Sequence, residues 1–518
     1  MATATTRRST RRQPPGSIGK PRGIVHPRVQ AVGPDHFGIV CFDCAKARSK
    51  FLVADFYGRV LVPPTVVAHN RLELEAAVAR VRQAFAEHQL GDSIVAIERT
   101  GRYHRPVQRA FADAGFDTRI IHPFATKQFR APVDPGYKTD DTDLHALHRA
   151  AVNGCALAEA ARDEAWTTLQ LVVRHRRGLV RKGAALNCQI RDHLEAALPG
   201  FADGFSDLWD SSVPWHLLRH FATAQQLRDA GLTTLCHSLR QAGIRFQSRT
   251  VQTVLDWAER AAEGDVAAAQ HHRFALALFD DRHRKTQEIQ AFEGEIAGRL
   301  AITPYVLLLS FPGVNVVSAA DFAAEMGPIE HYANAKCITG RAGLRPARYQ
   351  SDQVDRDGPL VRTGNRALRA AILGIADNLI HSNHHFRYLA AQWAAAGKDP
   401  RDIRVRVGLR FCRIAFHMVA GRQVFCHPAI RGRHYVLDKL NAFHRDHGTP
   451  MADVLRDLNA AINHLPPREY AAEAQPLHKE LERIRDGRRR GPQPIADILT
   501  IVLARLGGGA VQSTESGE

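Results

Sequence analysis

The sequence predicts a mixed α/β N-terminal domain, a long helical segment and a second, mainly helical domain. Three observations carry this. Short apolar runs alternate with helical periodicity across residues 36–158. Apolar residues then recur at mostly three- and four-residue steps at both ends of residues 159–305. Finally, Pro312-Gly313 opens a new alanine-rich stretch after the apolar run Val306 to Leu309. A chain of 518 residues has room for about two or three such cores.

In the first domain, Phe37-Gly38-Ile39-Val40-Cys41-Phe42-Asp43 reads as a buried strand ending in an acid. Phe51 to Ala54 and Val60 to Val62 are two more short strands, with Tyr57-Gly58 as the turn between them. Leu72 to Phe85 has helical periodicity, and Ile94 to Ile97 is a fourth strand ending in Glu98. A helix after Arg105-Pro106 leads to Gly115 and a fifth strand, Thr118 to Ile121. Three antiparallel-type strands followed by helix, strand, helix, strand, helix is the order of a ribonuclease-H-like α/β domain. That order brings the ends of the first and fourth strands together, and Asp43 and Glu98 with them.

The helix that follows starts at Lys138-Thr139-Asp140-Asp141-Thr142-Asp143-Leu144. Residues three apart share a helical face, so Asp140 and Asp143 project the same way. Paired carboxylates repel unless a cation lies between them, and oxygen ligands suit Mg²⁺ or Mn²⁺. The same residues also make an ordinary capped helix start, with carboxylates favoured by the helix dipole. Asp43, Glu98, Asp140 and Asp143 at these topological positions point to a shared metal site rather than to a cap alone.

Residues 159–305 read as an antiparallel coiled-coil stalk, with residues 200–285 as a helical insertion at its tip. Arg174, Arg176, Arg177, Arg181 and Lys182 make its first helix basic, either as a solvated face or as a nucleic-acid contact. In residues 306–430, Phe311-Pro312-Gly313-Val314 resembles a helix-hairpin-helix opening, whose backbone amides hold a phosphate. Pro-Gly is also simply a turn. Ser351 lies in a polar, arginine-rich loop with Arg345, Arg348, Arg362 and Arg366, ahead of the helix Ala370 to Ile380. A helix over 402–418 puts Arg406, Arg410, Arg413 and His417 on one stripe and Ile403, Val407, Phe411, Ile414 and Met418 on another.

The net charge of +17 and pI of 9.9 point to a polyanion partner, most often nucleic acid. Residues 1–35 form a disordered basic arm with no acid before Asp35, suited to phosphates or to keeping the chain in solution. Residues 431–518 add helices, the basic run Arg488-Arg489-Arg490 and a polar tail. Among eight cysteines only Cys41 and Cys44 make a CxxC, and no second pair completes a zinc site. Buried thiols in a reducing cytoplasm follow, and no signal peptide or membrane span is visible.

Taken together, the motifs resemble those of the DEDD-type transposases of the insertion-sequence one-ten class. Gly38-Ile39 with Asp43-Cys44-Ala45-Lys46 is similar to the family's strand-Asp-x-x-Lys. Glu98-Arg99-Thr100-Gly101 and Lys138 to Asp143 follow as its Glu-x-x-Gly and Lys-Thr/Ser-Asp-x-x-Asp. Phe311-Pro312-Gly313-Val314, Gly343-Leu344-x-Pro346 and Thr363-Gly364-Asn365 with Leu368-Arg369 come next in order. The resemblance covers roughly residues 37–195 and 285–430.

It implies a RuvC-like domain whose four acids bind divalent metal, and a serine, Ser351 here, that attacks DNA. Lys46, Lys138, Gly313, Arg345, Arg348, Arg362, Asn365 and Arg366 are then expected to contact nucleic acid. It also implies donor and target DNA as substrates, a non-coding bridge RNA that pairs with both, and a homo-oligomer, dimer or tetramer, in a cytoplasmic, nucleoid-associated setting. Three departures stand out: Ser351 is followed by Asp352 rather than glycine, the last acid by Leu144 rather than alanine, and the chain is longer than typical. Two other readings remain: a Mg²⁺-dependent nuclease or Holliday-junction resolvase using water, and a non-catalytic nucleic-acid-binding protein.

Overall fold

The computed structural model describes residues 23–133, 135–159, 163–205, 208–351, 353–425 and 434–466. Most of the basic arm, Asp352, Arg488-Arg489-Arg490 and the polar tail lie outside them. The chain divides into two compact units: Met1–Asp163 with Gly327–Arg341, and Glu164–Met326 with Ala342–Glu518. Each is described by itself.

In the first unit, α1 (His26–Val32) precedes β1 (Phe37–Cys44), β2 (Arg48–Ala54) and β3 (Val60–Ala68). Then come α2 (Arg71–Glu87), β4 (Asp92–Glu98), α3 (Arg105–Asp113), β5 (Thr118–Ile121), α4 (Pro123–Arg130), α5 (Asp140–Val152) and β6 (Leu157–Ala158). The sheet order is β3-β2-β1-β4-β5-β6. β1 runs parallel to β4, and β4 to β5, while β2, β3 and β6 join antiparallel. This is a mixed α/β domain. It has a sixth strand that sequence reading leaves out, because two residues carry no periodic signal.

Both faces of the sheet are covered, and side-chain alternation sorts the residues between them. Val40, Phe42 and Cys44 enter the core beneath α2 and α3 with Val95 and Ile97. Ile39, Cys41, Ile94 and Ala96 enter the other core, with Leu144 and Leu147 of α5. Cys41 and Cys44 therefore point to opposite faces and are free buried thiols, so the CxxC binds nothing as a pair. Burial holds the Cys44 thiol protonated, with its pKa pushed up to about 12.

In the second unit, α6 (Glu164–Ala197) leads through α7 (Ser212–His220), α8 (Ala224–Gln241) and α9 (Ser248–Arg260) to α10 (Ala268–Ala301). The pairs Arg176–Glu293, Asn187–Arg282 and His193–His271 show that α6 and α10 run antiparallel, each about 50 Å long. Helices α7 to α9 share one core with α6 and α10, in which Trp215, Leu217, Leu239 and Val254 join Ile190, Leu194 and Ala275. Next is α11 (Val316–Met326); α12 (Ala335–Ala342) belongs to the first unit up to Arg341, and the second resumes with the hairpin β7 (Pro346–Ser351) and β8 (Val354–Leu360). The unit continues with α13 (Arg366–Ser382), α14 (His384–Ala395), α15 (Pro400–Gly421), α16 (His434–Asp446) and α17 (Met451–Ile462). On α15, Ile403, Val407, Phe411 and Met418 are buried, whereas Arg406, Arg410, Arg413 and His417 are exposed.

His444 of α16 is fully buried, with Nδ1 on Thr449 and no hydrogen bond to Nε2 among the described residues. The Asp457 carboxylate lies 3.5 Å from Nε2 without a hydrogen bond. Burial lowers the imidazole pKa to about 4. The folded value is below the unfolded one, so stability falls as pH drops from about 6.5 through about 4, by roughly 3 kcal/mol at most. Burial raises Asp457, which acts in the opposite sense. His444→Asn keeps a partner for Thr449 but cannot titrate. Urea titrations at several pH values should give it a flatter acid limb than the parent, and an unchanged limb would remove this account.

Candidate functional site

The parity of the strands sets the site. Phe42 of β1 pairs with Ile97 of β4, so Asp43 and Glu98 stand side by side at the same end of two parallel strands. Asp43 is two residues from Cys41 and Glu98 two from Ala96, which places both on the face that α5 covers. There Thr139 caps α5 through the Thr142 amide, and Thr142 returns the bond to the Thr139 amide. The cap and the clustered acids are both real: the box fixes the first turn, and the turn aims Asp140 and Asp143.

The four carboxylates act on one another. The Asp43 pKa is raised to about 7, first by burial, then by the charges of Glu98, Asp143 and Asp140, and by a hydrogen bond with Glu98. Asp141 instead pairs with Lys50 of β2 at 2.5 Å. Asp143 is nearly buried and takes the Arg130 guanidinium from the end of α4, with the exposed Lys138 ammonium 3.9 Å away. Lys46 is exposed in the loop after β1. Arg130 carries no motif, so nothing in the sequence singles it out as the partner of Asp143.

The donor chemistry fits a hard divalent cation, being all carboxylate oxygen under mutual repulsion. The arrangement is not a closed ligand shell: among the described residues no three His, Cys, Asp or Glu side chains are set to hold one ion. Arg130 and Lys138 supply the positive charge that Asp143 meets.

In the second unit, Ser351 is exposed at the end of β7, opposite Val354 of β8. The stretch that reads as a polar loop is a two-stranded hairpin. Every residue of its two strands but Leu360 is exposed, so it lacks the apolar alternation that marks a strand in sequence. Arg345, Arg362 and Arg366 are exposed, and Arg348 is exposed with its Nε donating to Asp355 at 3.0 Å.

Two residues expected at nucleic acid have internal duties. Asn365 caps α13, with Oδ1 accepting from the Ala367 and Leu368 amides and Nδ2 donating to Glu325. Gly313 (φ +95°) packs against α13, where an added Cβ would lie 3.0 Å from the Asn378 carbonyl oxygen. The same turn is held by Lys439, whose Nζ donates to the carbonyls of Leu309, Phe311 and Val314. The amide of Ser318, in the first turn of α11, is taken by Asn315.

Comparison with known proteins finds matches to both segments. A family model described as a transposase, of the DEDD type named for IS110, matches residues 40–199, which hold the four acids. A second, described as the transposase IS116/IS110/IS902 family, matches residues 305–391, which hold Ser351. An uncharacterized 44.8 kDa protein of insertion element IS116 from Streptomyces clavuligerus is 28% identical over 210 residues, 38% of this chain and 48% of that protein. An uncharacterized 43.6 kDa protein of insertion element IS110 from Streptomyces coelicolor is 22% identical over 311 residues, 59% of this chain and 76% of that protein. The chain thus spans about half the length of the first relative and three quarters of the second. Two transposase models matched in order, with insertion-element proteins beside them, support an IS110-class transposase.

Proposed function

We propose that the protein is a DNA transposase that cleaves and rejoins strands through Ser351, assisted by a divalent cation at Asp43, Glu98, Asp140 and Asp143. The observation that carries this reading is the convergence of four carboxylates, from two strand ends and one helix, on one face of the sheet. The strand order β3-β2-β1-β4-β5 supports a ribonuclease-H-like, RuvC-like identity for that domain.

When bound, a divalent cation supplies positive charge against the phosphate and polarises its oxygens. The chain's own part is to hold four oxygen donors together, and Asp143 has to release Arg130 before it can serve as one. Ser351 Oγ forms a bond to phosphorus as one P–O ester bond of the DNA breaks, and the departing oxygen takes a proton. The number of ester bonds is conserved, so attack by a DNA hydroxyl on the phosphoserine restores a strand and frees the serine. Arg345, Arg348, Arg362 and Arg366, with Lys46 and Lys138, are placed at the surface where phosphates can be met. A bridge RNA that selects donor and target by pairing, and a dimer or tetramer, complete the proposal.

The test is a protein–DNA adduct that survives denaturation and needs Mg²⁺ to form. Ser351→Ala should lower it on the order of 10⁴-fold. If that variant still cleaves while Asp140→Ala does not, water is the nucleophile and the protein is a metal-dependent nuclease. If neither change affects DNA processing and binding persists, a non-catalytic binding protein replaces the reading.

A further inference from the structure

The β7–β8 hairpin has no core of its own, so something at its base must set where Ser351 points. A two-stranded ribbon exposed on both faces is marginal in isolation. Its foot is gathered by one side chain. Arg369, in the first turn of α13, donates from Nε to the Ala342 carbonyl at 2.8 Å. Its Nη2 donates to the carbonyls of Gly343 at 3.3 Å, Val361 at 2.7 Å and Thr363 at 3.0 Å. Two of these carbonyls lie on the chain entering the hairpin and two on the chain leaving it. The Val361 amide also donates to the Arg345 carbonyl between the same two strands.

The fit admits no side chain at Gly343. That residue has φ +68°, and an added Cβ would stand 2.2 Å from Arg369 Nη2 and 2.3 Å from the Thr363 carbonyl oxygen. Arg369 itself is held firmly. Leu368 and Ile372 beside it are fully buried, and Asn365 caps the helix while donating to the buried carboxylate of Glu325. Glu325 in turn accepts from Arg174 and Arg177 of α6. A guanidinium is a planar fork with fixed donor directions, so it sets the spacing of the strands it bridges, which a single ammonium cannot.

We propose that Arg369 is a positioning residue for strand cleavage: it fixes the foot of the hairpin and so the approach of Ser351 Oγ to the phosphodiester. This rests on the reading of Ser351 as nucleophile. A misplacement of about 1 Å at a reacting group costs roughly 10²-fold in rate. Arg369→Lys keeps the charge and one donor group but cannot span both strands.

The test uses the full chain with its DNA, and its guide RNA if one co-purifies. Arg369→Lys should slow single-turnover adduct formation at saturating DNA by about 10–100-fold. The DNA dissociation constant should stay within about threefold of the parent's, and amide exchange over 346–360 should speed up. Arg404→Lys, which loosens α13 further along at Leu373 and Asp377, should leave the adduct rate unchanged. An Arg369→Lys rate equal to the parent's would overturn the proposal while leaving the serine in place, as would equal slowing by Arg404→Lys. An adduct that survives Ser351→Ala would instead remove the serine reading, and this role with it.

Discussion

Asp43→Asn is expected to abolish metal-dependent DNA cleavage and, in the same protein, to stabilise the metal-free fold at pH 8. Both effects have one source. Asp43 is held beside Glu98, Asp140 and Asp143 by the register of β1 with β4 and by the cap of α5. Its folded pKa of about 7 lies above the unfolded value of 3.8. The folded protein therefore keeps a proton that the unfolded chain has lost. Stability falls as pH rises from about 4 through about 7 and stays low above that. Asparagine cannot ionise, so the variant escapes this cost, on the order of 2 kcal/mol at pH 8 after discounting partial exposure. Losing one carboxylate of the proposed cation site removes several kcal/mol of transition-state stabilisation, or on the order of 10³-fold in rate. Thermal denaturation without divalent metal, paired with a cleavage assay, measures both. A variant less stable than its parent at pH 8 would show that the four acids are not in mutual repulsion.

Glu325→Ala should be the most destabilising single change in the helical unit, at about 3–5 kcal/mol. Its carboxylate is fully buried and accepts from Arg174 at 2.9 and 3.0 Å, from Arg177 at 3.3 Å and from Asn365 at 2.9 Å. Truncation leaves arginines and an amide facing a hole. Burial alone would raise the Glu325 pKa, but the arginine and asparagine donors hold it below the usual carboxylate value. Its contribution is thus present above about pH 4.5 and is lost as pH falls below that. Glu325→Gln should cost less, since it keeps the shape and one acceptor. Urea titration at pH 7 ranks the three proteins. Equal midpoints for parent and alanine variant would mean that these bonds add nothing net to stability.

Much of the first domain is legible because its signals are local and repeated. Five strands announce themselves by apolar runs, and the parallel pairing of β1 with β4 then makes Asp43 and Glu98 neighbours. Asp140 and Asp143, rather than Asp141, follow from three-residue spacing. What escapes is chemistry aimed at partners with no sequence signature. Arg130 finds Asp143 through the fold, and Arg369 binds backbone carbonyls, which every residue possesses. Asn365 and Gly313 sit in motifs that suggest phosphate, yet in the folded chain one caps a helix and the other lets two segments touch. The hairpin bearing Ser351 is hidden for another reason: with no buried face, it has no alternation to read.

The sheet of the first unit also ends in a way that matters for crowding. On its outer strand, β3, Pro63 and Pro64 remove two amide donors, and the pairing with β2 slips between Phe51 and Val53. The opposite margin, β6, offers two residues. A strand from another molecule finds little to zip onto at either side. A protein that gathers in several copies on DNA, as proposed above, is thereby kept from polymerising through its most apolar layer.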